Sequence, residues 1–224
     1  MRLDRTGVVA GVLYLVFGVA WALAAGVPWA VAWSVAVAVV GAFIPGPANQ
    51  VSLARVYLAA PALVYGAHGA LGYLAVVVAL ASLTDLVDGT IARRFSRPST
   101  FGGGLDPVVD GVFMGGVVIG LSMGGTFPAW LALVVIGRYL LPALAGGALI
   151  AAGRRPELRH TLTGQVSTTL ILVLLGGVCL FRGLNQDAGG LVSAAEIVIP
   201  IATLATFVHL GWASRRAVAA PEPG

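Results

Sequence analysis

The chain contains no lysine: all 13 of its basic residues are arginine. It has a single cysteine, Cys179, set in an apolar run, so there is no disulfide framework to staple a small fold and the redox compartment cannot be read from it. Charge of either sign is scarce. Charged residues make up 10% of the 224 positions against 58% hydrophobic, and mean hydropathy is +0.96. That balance excludes a soluble domain built on one core and indicates a polytopic membrane protein. No internal repeat and no soluble domain interrupts the apolar runs. The lack of lysine beside abundant Ala, Gly and Val is consistent with a GC-rich, bacterial coding genome.

The acids that remain are unevenly placed. Of nine Asp and Glu, four fall within one stretch as Asp85, Asp88, Asp106 and Asp110. A carboxylate at the centre of a membrane helix costs about 3 kcal/mol on insertion scales, so four together demand a cation. Asp85 and Asp88 are spaced i,i+3 and Asp106 and Asp110 i,i+4, which puts each pair on one face of a helix. Arg97-Pro98 between them breaks the helical pattern. Folded as an antiparallel hairpin about that break, the four carboxylates reach similar depth at about 1.5 Å per residue. Hard oxygen donors of this kind suit Mg²⁺ or Mn²⁺.

The spacing D-x2-D-G-x2-A-R-x8-G-x3-D-x3-D is filled at every position by Asp85, Asp88, Gly89, Ala92, Arg93, Gly102, Asp106 and Asp110. It resembles the signature of the CDP-alcohol phosphatidyltransferases, integral membrane enzymes of phospholipid synthesis. The resemblance implies transfer of a phosphatidyl-type group from CDP-diacylglycerol to an alcohol, with release of CMP. It makes Asp85, Asp88, Asp106 and Asp110 metal ligands and Asp110 also the general base. Two metal ions about 3.5 to 4 Å apart would neutralise both the reacting phosphate and the departing CMP. Upstream, Asn49, Ser52 and Arg55 resemble the segment that lines the nucleotide site in this family. With Gly89, Ala92, Arg93 and Gly102 they form the expected binding surface for the CDP-lipid. Small residues at those positions would also serve tight helix packing, and Asn49 alone would read as a helix cap.

Apolar runs place spans at 7–26, 28–44, 51–66, 70–94, 103–123, 127–152, 160–182 and 190–213. The expected fold is therefore an all-α transmembrane bundle of about eight helices. Residues 1–44 form an N-terminal hairpin, 45–213 a six-helix core that resembles the family's, and 214–224 a cytoplasmic tail. Arg2 and Arg5 before the first run, with Ala22-Leu23-Ala24 after it, resemble a signal peptide, but the run is long and a second span follows directly, so a retained helix is expected. With the N-terminus cytoplasmic, eleven arginines fall inside and only Arg182 outside, with Arg138 in mid-span. This puts both termini and the Asp cluster at the cytoplasmic face of a bacterial membrane. Membrane lipids, anionic ones especially, are the expected surroundings, no nucleic-acid polymer is a partner, and there is room for a homodimer.

The acceptor side is read from cations. Arg138 lies too deep for a rim anchor, so its expected partner is the Asp cluster or an anionic acceptor. Arg154, Arg155 and Arg159 form a basic loop suited to an acceptor phosphate, and positive-inside bias explains them equally well. Members of the family that use glycerol phosphate often carry lysines where this chain has Gly111 and Gln165. Glycerol 3-phosphate is nonetheless the favoured acceptor, ahead of an inositol phosphate or a lipid-borne alcohol. A cation-coupled transporter is the reading from another class. Glu196, His68, His160 and His209 read as rim or interhelical residues, and Gly111, Gly115, Gly116 and Gly120 as a packing face.

Overall fold

In a computed structural model the chain is described over residues 3–95, 100–151 and 162–219, with side chains over 3–87, 105–145, 164 and 166–211. Eight helices and no strand make up these residues: α1 (Arg5–Ala24), α2 (Trp29–Gly41), α3 (Pro47–Ala67), α4 (Leu71–Phe95), α5 (Thr100–Met123), α6 (Ala129–Ala151), α7 (Leu162–Gly183) and α8 (Gly189–Ala219). The helices stop where the sequence says a chain must turn. Gly26, Gly69 and Gly125 adopt positive φ after α1, α3 and α5, a conformation without penalty only for glycine. Pro47 opens α3 as its first residue, where its missing N–H is not needed. The expected break at 97–98 lies outside the described residues. α8 continues to Ala219, so the expected tail from 214 onward begins as helix. Its apolar pattern ends earlier, but Ala213 to Ala219 holds no Gly or Pro to stop a helix.

α3 is the hub. It packs on α1, α2, α4 and α5, with α6, α7 and α8 closing the other side of the bundle. The α3–α5 crossing is close because α5 offers glycine there. A Cβ on Gly116 would lie 2.5 Å from the Ala59 carbonyl oxygen, and one on Gly120 would lie 2.6 Å from that of Leu63. Gly111 faces the Tyr139 side chain, whereas Gly115 has open space beside it. Most of the expected glycine face is therefore a packing device, with Gly115 outside it. Beyond the crossing, Leu74, Val117, Leu121, Leu131, Val135, Ile171, Leu175 and Ile199 form a buried apolar core. Gln50, 4% exposed, ties the hairpin to α3 by donating through Nε2 to the carbonyls of Gly41 (3.0 Å) and Ile44 (2.6 Å).

The outer surface is apolar. Phe17, Leu133, Leu86 and Leu204 are each more than 60% exposed, which only a hydrocarbon solvent makes tolerable at this density. Among the described residues four helical segments are long and apolar enough to cross a membrane: Arg5–Ala24, Leu105–Met123, Val166–Gly183 and Gly189–Gly211. Trp29–Gly41, Leu71–Val87 and Ala129–Ala145 are shorter apolar helices. Pro61, Pro107, Pro142 and Pro200 sit inside helices, as membrane helices allow. The protein is an integral membrane helical bundle.

Candidate active site

Arg55 sits on α3 two turns after Pro47 and is only 3% exposed. A guanidinium at that depth needs counter-charge, because its desolvation is otherwise uncompensated. Two helices supply it. Asp85 of α4 pairs with Nη1. Asp110 of α5 brings Oδ1 to 3.2 Å from Nε, an ion pair rather than an aligned hydrogen bond. The close α3–α5 crossing lets Arg55 reach across to Asp110. The two carboxylates differ in access, Asp85 being 67% exposed and Asp110 30%.

Asp106 lies one turn before Asp110 on α5 and is half-buried. Asp88 continues α4 one turn beyond Asp85, but its side chain is outside those described, as are the side chains of Gly89, Ala92, Arg93 and Gly102. Arg154, Arg155 and Arg159 lie wholly outside the described residues. Asn49 and Ser52 bond within the first turns of α3: Asn49 Nδ2 donates to the Pro45 carbonyl (2.7 Å), and Ser52 Oγ donates to that of Ala48 (3.2 Å). The structure thus joins Asp85, Asp110 and Arg55 in one constellation near the start of α3.

The donor chemistry of this end of the bundle fits a hard divalent cation, since Asp85, Asp106 and Asp110 present only carboxylate oxygens. Among the described residues no three acidic, His or Cys side chains gather as a ligand group. Positive charge is nevertheless what the constellation holds, for the Arg55 guanidinium stands between Asp85 and Asp110.

Arg138, on α6, is 6% exposed, and of its two expected partners, the Asp cluster or an anionic acceptor, the described residues bring no carboxylate into hydrogen bond with it. Its hydrogen bonds among the described residues all go to neutral oxygens. Nη1 donates to Ser167 Oγ (3.2 Å) and Thr206 Oγ1 (2.9 Å), and Nη2 to the Gly164 carbonyl (3.1 Å) and Thr168 Oγ1 (3.2 Å). Ser167 and Thr206 are anchored in turn on the Ala202 carbonyl of α8 (2.9 and 2.8 Å). Neither this hydroxyl ring nor the Gln50 tie was anticipated. The ring could have been sought by asking which hydroxyls of α7 and α8 lie at the depth of Arg138.

An all-helical membrane bundle in which three neighbouring helices bring two carboxylates onto one buried guanidinium is a membrane protein with a charged site at one end. The model of the family described as CDP-alcohol phosphatidyltransferase matches residues 47–209, and the chain belongs to that family. The probable phosphatidylglycerophosphate synthase of Mycobacterium tuberculosis is 32% identical over 151 residues, 66% of this chain and 71% of that one. The CDP-diacylglycerol–glycerol-3-phosphate 3-phosphatidyltransferase of Bacillus subtilis is 30% identical over 106 residues, 47% of this chain and 54% of that one. A probable CMP-forming cardiolipin synthase of Drosophila melanogaster is 46% identical over 112 residues, 46% of this chain and 35% of that one. No solved structure gives a significant match. Membership makes this chain a membrane transferase of phospholipid synthesis and sets the transporter reading aside.

Proposed function

We propose that the chain transfers the phosphatidyl group of CDP-diacylglycerol to glycerol 3-phosphate and releases CMP. The observation that carries this is the convergence of Asp85 and Asp110, from separate helices, on Arg55 at one end of the bundle. The acceptor hydroxyl oxygen bonds to the lipid-bearing phosphorus, the bond from that phosphorus to the bridging diphosphate oxygen breaks, and the pair leaves with CMP. Asp110, half-buried and carried on the rigid α3–α5 crossing, takes the hydroxyl proton. Arg55 holds Asp110 and Asp85 in place and offers its guanidinium to the diphosphate. Asp85, Asp88, Asp106 and Asp110 would hold Mg²⁺ or Mn²⁺, which supplies positive charge to the diphosphate when bound. Asn49, Ser52, Gly89, Ala92, Arg93 and Gly102 complete the CDP surface by family likeness.

On the acceptor side Arg138, oriented by its hydroxyl ring and without a carboxylate partner among the described residues, attracts the glycerol phosphate, with Arg154, Arg155 and Arg159 as further cations. A lipid-borne alcohol is the second reading. What favours it is that Gly111 and Gln165 stand where lysines serve the glycerol-phosphate branch, and that neutral oxygens already hold both terminal nitrogens of Arg138. Purified protein given CDP-diacylglycerol, Mg²⁺ and either glycerol 3-phosphate or phosphatidylglycerol separates the two by which acceptor drives CMP release.

Orientation follows from the arginines. Residues 45–213 carry the transferase, 1–44 form an accessory hairpin, and both termini and the Asp cluster face the cytoplasm. Cysteine labelling on a Cys179-free background should find positions 98 and 157 accessible from the cytoplasm and position 187 only from outside. The opposite pattern overturns this topology.

A further inference from the structure

The family match begins at residue 47 and leaves α1 and α2 without a role. Their packing supplies one. α1 lies against α2 and α3, α4 lies against α3, and among the described residues α1 and α4 do not pack closely on each other. Between them, floored by α3, is a cavity of about 450 Å³, within the size range of ligand sites. Phe17, Leu58, Val76, Leu80 and Leu83 give it an apolar lining.

Three features say what it takes. First, the cavity reaches the level of the active site: Ala54 and Thr84 line it, one residue before Arg55 on α3 and Asp85 on α4. Second, its far end is lined by aromatic rings. Trp21 Nε1 donates to the Tyr65 hydroxyl (2.8 Å), and the Tyr65 and Tyr73 rings stack with centroids 5.3 Å apart. From Thr84 back to Tyr73 the groove runs about 16 Å along α4. Third, the Tyr57 hydroxyl is buried among the lining residues with no hydrogen-bond partner among those described. The Tyr14 ring packs on Tyr57 at 4.6 Å, so α1 walls the groove at that level too.

We propose that this groove holds one acyl chain of the CDP-linked lipid, and that the Trp21–Tyr65–Tyr73 cluster is the stop that sets the chain length it accepts. An acyl ester matches each feature. Its hydrocarbon suits the lining, its carbonyl oxygen accepts from the orphaned Tyr57 hydroxyl, and its headgroup lies where Arg55 and Asp85 begin. The N-terminal hairpin is then the chain's own device for selecting lipid. The proposal rests on the donor reading above.

Two measurements test it. In nanodiscs, CDP-diacylglycerol with a diazirine at the end of one acyl chain should label peptides containing Trp21, Tyr65 or Tyr73, and unlabelled CDP-diacylglycerol should displace the label. Labelling elsewhere overturns the proposal, as does equal labelling by a diazirine phosphatidylglycerol that CDP-diacylglycerol does not displace. In the second, kcat/KM is compared for arachidoyl and myristoyl donors. Tyr73 and Leu80 are 68% and 47% exposed, so changing them leaves the core intact. Tyr73→Ala should raise the long-to-short ratio about tenfold and Leu80→Trp should lower it about tenfold, the scale on which apolar pockets discriminate chain length. Unchanged ratios in both variants overturn the stop. Labelling needs no turnover, so a protein that labels in the groove but transfers nothing fails the transferase reading alone. A protein that turns over but labels elsewhere fails the groove alone.

Discussion

Two buried arginines divide this molecule. Arg55 and Arg138 are 3% and 6% exposed, yet α4 and α5 meet Arg55 with carboxylates, while α7 and α8 meet Arg138 with hydroxyls and a carbonyl. Around Arg55 two carboxylates meet one guanidinium, so the arginine and its acids form one net-negative unit that a metal-laden diphosphate enters by exchange of partners. Around Arg138 the guanidinium is oriented by neutral oxygens, and no carboxylate among the described residues pairs with it, which suits its field to an anion from outside. A donor site and an acceptor site would differ in this way: one built to bind and release a metal-laden diphosphate, the other to hold a single anionic group.

The largest effect should come from the acids. Asp110→Asn should lower turnover by about 10² to 10⁴, the usual contribution of a general base, while CDP-lipid binding is largely kept. If binding and turnover fall together, Asp110 is better described as a metal ligand. Asp88→Asn and Asp106→Asn, or excess chelator on the unaltered protein, should abolish turnover. Full activity in any of these refutes the metal reading.

Arg138→Gln sharpens the comparison from the other side. The acceptor KM should rise about tenfold or more with the donor KM little changed, the mark of lost acceptor binding. An unchanged acceptor KM in well-folded protein makes Arg138 a structural residue held by its hydroxyl ring.

A smaller effect tests how the first site is assembled. Gly116→Leu or Gly120→Leu forces a side chain into the Ala59–Leu63 backbone and should cost about 1 to 3 kcal/mol of stability, the usual penalty of overpacking. Activity should fall further than stability because α5 carries Asp110 away from Arg55. Thermal unfolding in detergent beside CMP release would separate the two. Loss of stability without extra loss of activity detaches the crossing from the site.

The smallest concerns Asp4, whose carboxylate caps α1 by accepting from the Gly7 N–H at 3.0 Å. The Thr6 hydroxyl and then the Gly7 N–H hold its carboxyl below the usual carboxylate range. A depressed acid stabilises above its ordinary pKa and loses that contribution as pH falls through the lowered one. Asp4→Ala should therefore melt slightly lower than the unaltered protein at neutral pH and coincide with it in strong acid. An equal offset at all pH values would mean that the carboxylate charge plays no part.

Helix number and depth were legible in the sequence because both follow from where apolar runs meet Gly and Pro. The span read as 103–123 is α5 at Thr100–Met123, and that read as 70–94 is α4 at Leu71–Phe95. Depth also put Arg55, Asp85 and Asp110 near one end. Azimuth was not legible. Nothing in a single chain says which face of α3 turns toward α5, so Arg55 was read as a nucleotide contact without its ion pairs. Arg138 reads as a partner of the Asp cluster or of an anionic acceptor, and the hydroxyls that hold it are scattered over Ser167, Thr168 and Thr206 with no motif to join them. The groove beside α1 was invisible for the same reason, since a void is a property of several helices together.

The central claim is that the Asp85–Arg55–Asp110 constellation performs phosphatidyl transfer, and CMP release tests it most directly. Purified protein with CDP-diacylglycerol, glycerol 3-phosphate and Mg²⁺ should release CMP and form phosphatidylglycerol phosphate in equal amounts, and Asp110→Asn should lose both. CMP release that Asp110→Asn leaves intact, or no phosphatidyl product with any alcohol offered, would contradict the account.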